Sequence, residues 1–128
     1  MIHSFKSNYD VQTTMDRVLE FLKSKNVHIM ARVDHSQGAK QANLDLRPTQ
    51  TLIFGSPLLG THLMLKNQAI AVDLPLKLAV WQDEDGQVFL AHPDLDELAE
   101  RYGIKDIEPI LEKMKQGLDA CVAYAISK

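Results

Sequence analysis

A chain of 128 residues fits one domain that can bury a real core. It is 45% hydrophobic and 24% charged with a net charge of -3, so it lacks the basic stripe with which a nucleic-acid binder meets phosphates. Its single cysteine, Cys121, excludes an internal disulfide and a zinc site built on several thiolates. The start, Met1-Ile2-His3-Ser4-Phe5-Lys6, has no apolar signal stretch, and no apolar run is long enough to cross a bilayer. The expectation is a soluble cytoplasmic protein with neither nucleic-acid nor membrane partners.

Residues 2–6 read as a first strand. Asp10 then caps a helix in which Val11, Met15, Val18, Leu19 and Leu22 recur at helical spacing, ending near Lys25 and Asn26. Val27, Ile29, Ala31 and Val33 alternate with polar neighbours, which predicts a strand with one apolar face and a β-α-β start whose strands lie parallel. His35 to Leu44 reads as a short polar helix, with Ala39, Ala42 and Leu46 on its buried side. Thr51 to Phe54 is a short buried strand. Ser56 caps a helix whose first position is Pro57, where the missing N–H costs nothing, and which ends near Asn67.

From Ile70 to Val80 the apolar alternation predicts one long strand, bent, bulged or at an edge where Pro75 cannot donate to a ladder. Its other face carries Asp73, Lys77 and Trp81. Asp85-Gly86 is a hairpin turn leading to a return strand over Val88 to Ala91. Asp94 and Glu97 form a capping box for a helix that Gly103 stops. Asp106 caps the last helix, whose stripe runs Ile107, Ile110, Leu111, Met114, Leu118, Cys121, Val122 and Ala125. The elements sum to one α+β domain over residues 1–128: about five mostly antiparallel strands, helices on one face and a long C-terminal helix.

The densest cluster of unusual residues lies between Arg47 and Lys77. Val33-Asp34-His35, Leu46-Arg47-Pro48-Thr49, Ile53-Phe54-Gly55-Ser56-Pro57, Gly60-Thr61, Leu63-Met64, Leu74-Pro75-Leu76-Lys77 and Trp81, in that order and spacing, resemble the bacterial and archaeal domain of unknown function 302 family. The resemblance runs from about Asn8 to Tyr102, and the last helix fits it in length. The chain departs from the family pattern at His62, and at His92, where a tyrosine is common. The resemblance implies a small α+β domain paired as a homodimer. It implies no activity and carries over no catalytic residues, and any cofactor stays unknown.

Three sets of residues carry candidate chemistry. At Phe54-Gly55-Ser56-Pro57 a strand turns into a helix start, whose free N–H groups and dipole favour an anion. Gly60 and Thr61 lie one turn in, with Arg47 or Lys77 as counter-charge; the plainer role is a cap at Ser56 and a close approach at Gly60. The cluster lacks the Gly-Lys-Ser/Thr ending of a P-loop. Lys77 and Trp81 share a strand face: a desolvated lysine there would act as base or nucleophile, and Trp81 would stack on a ligand or anchor an interface. His35, at the end of a strand, suits an acid, a base or a cap. The histidines show no metal-binding spacing, and Cys121 belongs to an apolar stripe, so no metal site is expected. Three functions stay open: a dimeric domain binding a small molecule or anion at His35, Arg47, Phe54, Gly55, Ser56, Gly60, Thr61, Lys77 and Trp81; an enzyme using His35 or Lys77 as acid or base; and a structural or partner-binding module.

Overall fold

Alternate residues of the central strands decide which side of the sheet becomes the core. A computed structural model describes residues 1–128. Strands β1 (Ile2–Ser7), β2 (His28–Asp34), β3 (Thr49–Gly55), β4 (Leu76–Gln82) and β5 (Val88–Pro93) form one sheet in the order β1-β5-β4-β3-β2, every neighbouring pair antiparallel. Gln50, Leu52 and Phe54 of β3, Leu76, Leu78 and Val80 of β4, and Val88, Leu90 and His92 of β5 are buried on one face. Helices α1 (Val11–Ser24) and α5 (Glu108–Ile126) cover it. They bring Val11, Met15, Val18 and Leu22 from the first, and Leu118, Cys121, Val122 and Ala125 from the second, into one apolar cluster. Each fully buried Leu or Met there contributes about 1.5–3 kcal/mol.

Polar contacts hold the two helices in register. The Arg17 guanidinium sits 4.6 Å from the Tyr9 ring centre and 4.5 Å from that of Tyr124, and it donates to the Tyr124 carbonyl at 2.7 Å. Stacking on two rings favours arginine over lysine at this position. The Asp10 carboxylate accepts from the Thr13 N–H at 2.7 Å, as the cap assignment requires.

The structure corrects several local expectations. β1 and β2 run in the same direction but stand at opposite edges with three strands between them, so the β-α-β start is no parallel pair. The register of β2 shifts between Ile29 and Ala31, which sends Ile29 opposite Phe54 and Ala31 opposite Ile53; the expected single apolar face is therefore split. The short helix α2 (His35–Gln41), capped by Asp34, buries nothing, and Leu46 is exposed.

The long strand from Ile70 does not form. Asn67 caps a 3-10 turn (Gln68–Val72) that plants Ile70 in the core, the Leu74–Pro75 peptide is cis, and β4 begins only at Leu76 as a central strand. Asp73 therefore leaves the Lys77 face and accepts from the Tyr102 hydroxyl and from Arg101. The capping box is half made: Asp94 accepts from the Glu97 N–H at 2.8 Å, while the Glu97 carboxylate turns to the Met1 ammonium and Arg101. Asp106, at φ 61, does not cap α5; Ile107 holds that position without a side-chain bond.

Candidate functional site

The Gly55-Ser56-Pro57 corner lies at one end of the core, where β3 leaves the sheet and α3 (Pro57–Lys66) begins. Ser56 Oγ accepts from the Leu59 N–H at 3.4 Å, and the Ser56 carbonyl from the Gly60 N–H at 2.9 Å. The serine thus performs the cap that its sequence position suggested. Behind this corner α3, α1 and α5 leave a cavity of about 460 Å³. Its walls are mainly apolar: Phe21 and Leu22 from α1, Met30 from β2, Phe54 from β3, Met64 from α3 and Met114 from α5. Two cations, Lys25 and Lys113, also line it. Neither forms an ion pair with a carboxylate; the Lys25 ammonium lies 5.6 Å from the Phe21 ring centre.

The nine candidate residues fall into two groups. Phe54, Gly55, Ser56, Gly60 and Thr61 line the cavity. His35, Arg47, Lys77 and Trp81 do not. Lys77 and Trp81 point to the sheet face opposite the helices, since their neighbours Leu76, Leu78 and Val80 hold the core side. His35 reaches the same outer side, its Nε2 2.8 Å from Thr51 Oγ1. Lys77 is exposed, without the desolvation that would make a lysine nucleophilic. Trp81 stacks on Phe89 with ring centres 5.7 Å apart, a cross-strand pair on that face. Arg47 is exposed, and its carbonyl accepts from Thr49 Oγ1.

The cavity's own cations escaped sequence reasoning. Lys25 follows the last turn of α1, and Lys113 flanks Met114 on the apolar stripe of α5, 88 positions later in the chain (113 − 25). No local pattern joins them, because only the packing of α1 against α5 brings both to one rim. Cys121 sits in the core and takes no part: burial pushes its thiol up to about 12. No group of three His, Cys, Asp or Glu side chains is placed to hold a metal ion.

A small α+β domain with an antiparallel sheet, two long helices on one face and an apolar cavity at their end is the class that this geometry defines. The chain belongs to the family described as Domain of unknown function DUF302, whose sequence model matches residues 3–122. The crystal structure of uncharacterized conserved protein DUF302 from Bacillus stearothermophilus shares the fold, with a TM-score of 0.85 over 97% of each chain and 19% identity. Among curated proteins, the chain is 40% identical over 121 residues to fluoride-specific ion channel FluC 1 of Brucella suis biovar 1 and to fluoride-specific ion channel FluC 1 of Brucella abortus biovar 1. The match takes in 94% of this chain but 48% and 45% of those proteins, so the chain spans about half the length of the curated relatives it matches. No helix of this chain is long and apolar enough to cross a membrane.

Proposed function

We propose that this domain binds a small molecule with an apolar body and one anionic group, in the cavity behind the Phe54–Thr61 turn. The observation that carries this reading is the cavity itself: about 460 Å³, within the range of small-molecule sites, walled by apolar side chains and bordered by the unpaired ammonium groups of Lys25 and Lys113. Apolar walls supply affinity, while the two cations orient the ligand with its charge towards water. In this reading the domain works in the cytoplasm as a dimer, the assembly that the family resemblance implies. Decanoate and decanol test it as probes. Decanoate is expected to raise Tm by mass action, and the Lys25→Ala/Lys113→Ala double variant to weaken decanoate about tenfold while leaving decanol unchanged. Failure of both probes to move Tm would refute the reading.

A second reading, as a partner module, is favoured by the channel relatives. Their matched portion is about half of each protein, and this chain has no helix able to cross a membrane. The reading places the pore of those relatives in their other half and makes the matched half an appended domain. Fluoride flux from liposomes holding the Brucella suis protein, with and without the matched segment, decides it. Conduction that survives removal of the segment supports it, and a folded truncated protein that no longer conducts counts against it.

A further inference from the structure

The sheet has two faces, and the long helices cover only one. They pack on the side of Leu52, Leu78 and Leu90, so the alternate residues of the central strands point the other way. On that bare side the ladder fixes a pattern. Trp81 pairs with Phe89, Ala79 with Ala91 in the next outward row, and Lys77 with Ile53 in the row after. Trp81, Phe89 and Ile53 are only half-buried, and Val33, on the edge strand β2, is 37% exposed. Aromatic rings among small and branched apolar side chains are the makeup of an interface core, where charges are thinned out.

The helix α2 stands beside this face. His35 Nε2 lies 2.8 Å from Thr51 Oγ1, and Thr51 pairs with Ala79. The helix has a side-chain cap at Asp34, a glycine at Gly38 and no buried residue. Isolated helices shorter than about 12 residues are marginal in water, so a seven-residue helix that buries nothing gains from a surface to pack on. Leu44 and Leu46, which follow it, are 65% and 47% exposed.

The charges make the face complementary to itself. None of the outward residues of the five strands is acidic. Lys77 stands exposed at one end of β4 and forms no ion pair. Just past the other end, Asp83-Glu84-Asp85 makes the turn to β5, and neither Glu84 nor Asp85 forms an ion pair. A two-fold axis across the strands reverses β4 of a second copy. Reversal about Val80 exchanges Ala79 with Trp81 and Lys77 with Asp83. Each Trp81 then meets the partner's Ala79, a large ring over a small floor, and each Lys77 meets the partner's acidic turn. Such reciprocity is what a two-fold interface requires. Five strands about 4.8 Å apart, at about 3.4 Å per residue, give the face roughly 500 Å² in projection. Side-chain relief and α2 add to that, against the about 800 Å² of accessible surface that each partner of a stable complex buries.

We propose that a second copy of this chain docks on the bare sheet face and α2, related by a two-fold axis across the strands, with Trp81 and Phe89 as anchors and Lys77 against the partner's Glu84 and Asp85. The inference rests on the dimeric state in the proposed function and not on its ligand, since the apolar cavity lies under the helices.

Trp81 is the one tryptophan of the chain, so its fluorescence reports on this face alone. At about 100 μM the full chain is expected to sediment as two copies, and dilution should shift Trp81 emission to the red and open it to acrylamide. Trp81→Ala and Lys77→Glu should each weaken pairing at least about tenfold. So should Glu84→Lys/Asp85→Lys. Mixing the Lys77→Glu chain with the Glu84→Lys/Asp85→Lys chain should restore a dimer, because both contacts then join opposite charges; a folding defect in either chain gives no such rescue. Should Trp81→Ala not fold, the charge variants carry the test. Monomeric Lys77→Glu should still respond to decanoate. Loss of that response in the parent too refutes the ligand and leaves this interface standing. The proposal is overturned if the parent is a monomer at about 100 μM, if its dimer survives both Trp81→Ala and Lys77→Glu, if mixing restores nothing, or if Trp81 emission responds only to a single-stranded oligonucleotide.

Discussion

Pro75 Cβ lies 3.6 Å from the point where a Cβ on Gly55 would sit, so these two residues, twenty positions apart, meet at the wall of the apolar cavity. Phe54 pairs with Leu76 next door, which places Gly55 beside Pro75 just past the last paired residues of β3 and β4. The same point is 3.8 Å from Met30 Cε, an ordinary van der Waals distance. Gly55→Ala is therefore expected to change stability by less than about 1 kcal/mol, measured by urea denaturation. A loss above about 2 kcal/mol would show that the strand end cannot hold even a methyl group.

Gly117 lines the cavity from α5, and a Cβ there would meet nothing within 4 Å. Gly117→Leu should fill space now empty. Replacing a mid-helix glycine also removes a cost of about 0.8–1.0 kcal/mol. The variant is expected to melt higher than the parent and to lose its response to decanoate. A variant that still binds decanoate with unchanged affinity would place the ligand elsewhere.

Leu118, 6% exposed, lines both the apolar cavity and a second one of about 290 Å³, bounded by β1, β5, the start of α4 (Leu95–Arg101) and α5. Leu118→Ala should cost about 2–5 kcal/mol, because the transfer energy of the lost carbons adds to the enlarged void. It should also join the two spaces, and urea denaturation of the parent and the variant measures the loss.

Burial holds the Cys121 thiol protonated to about 12, against 9.0 for an exposed thiol. Below 9.0 both folded and unfolded states keep the proton, and the folded state loses nothing. Between 9.0 and about 12 the unfolded thiol ionises first, so stability falls as pH rises, by up to about 1.4 kcal/mol per pH unit. Tyr102 and Tyr124 are also held above their usual range, each chiefly by the carboxylate that its hydroxyl meets, Asp73 and Glu20. The Cys121 share is isolated by comparing urea midpoints of the parent and Cys121→Ala at pH 8 and pH 10.5. A difference that does not change with pH would remove it.

The Thr13 N–H holds the Asp10 carboxylate below its usual 3.8, so the cap is strongest when ionised. Asp10→Ala should cost about 1 kcal/mol at pH 7. That difference should shrink as pH falls below 3.8, because protonation removes the cap's advantage from the parent alone. Urea midpoints for both chains at pH 7 and pH 3 measure it.

Local rules with a single outcome were legible in the sequence. Asp10 and Ser56 cap helices because each side chain bonds an N–H three residues on, and such a contact needs no distant partner; before α2 the cap is Asp34 and not His35, the residue that the sequence suggested. The Gly86 turn and the apolar stripe of α5 follow for the same reason. The run from Ile70 to Val80 misled because period-two apolarity does not say whether the backbone is extended. Asn67 closes a 3-10 turn that buries Ile70 as well as a strand would, and Pro75 delays the ladder. Half of the candidate site was legible in the same sense. Phe54 to Thr61 form one continuous corner, whereas the membership of Lys77 and Trp81 hung on which sheet face became the core.

By itself the sequence determined the class, the caps at Asp10 and Ser56 and the corner from Phe54 to Thr61, the last two set by neighbours within a few residues. Tertiary structure alone decided the strand order, which face of β4 met the helices, and which charges came to the cavities. Lys25 and Lys113 are joined only through the packing of α1 against α5. Long-range pairs of this kind leave no periodicity in the chain, because the contacts that assemble them are chosen by the burial of other residues.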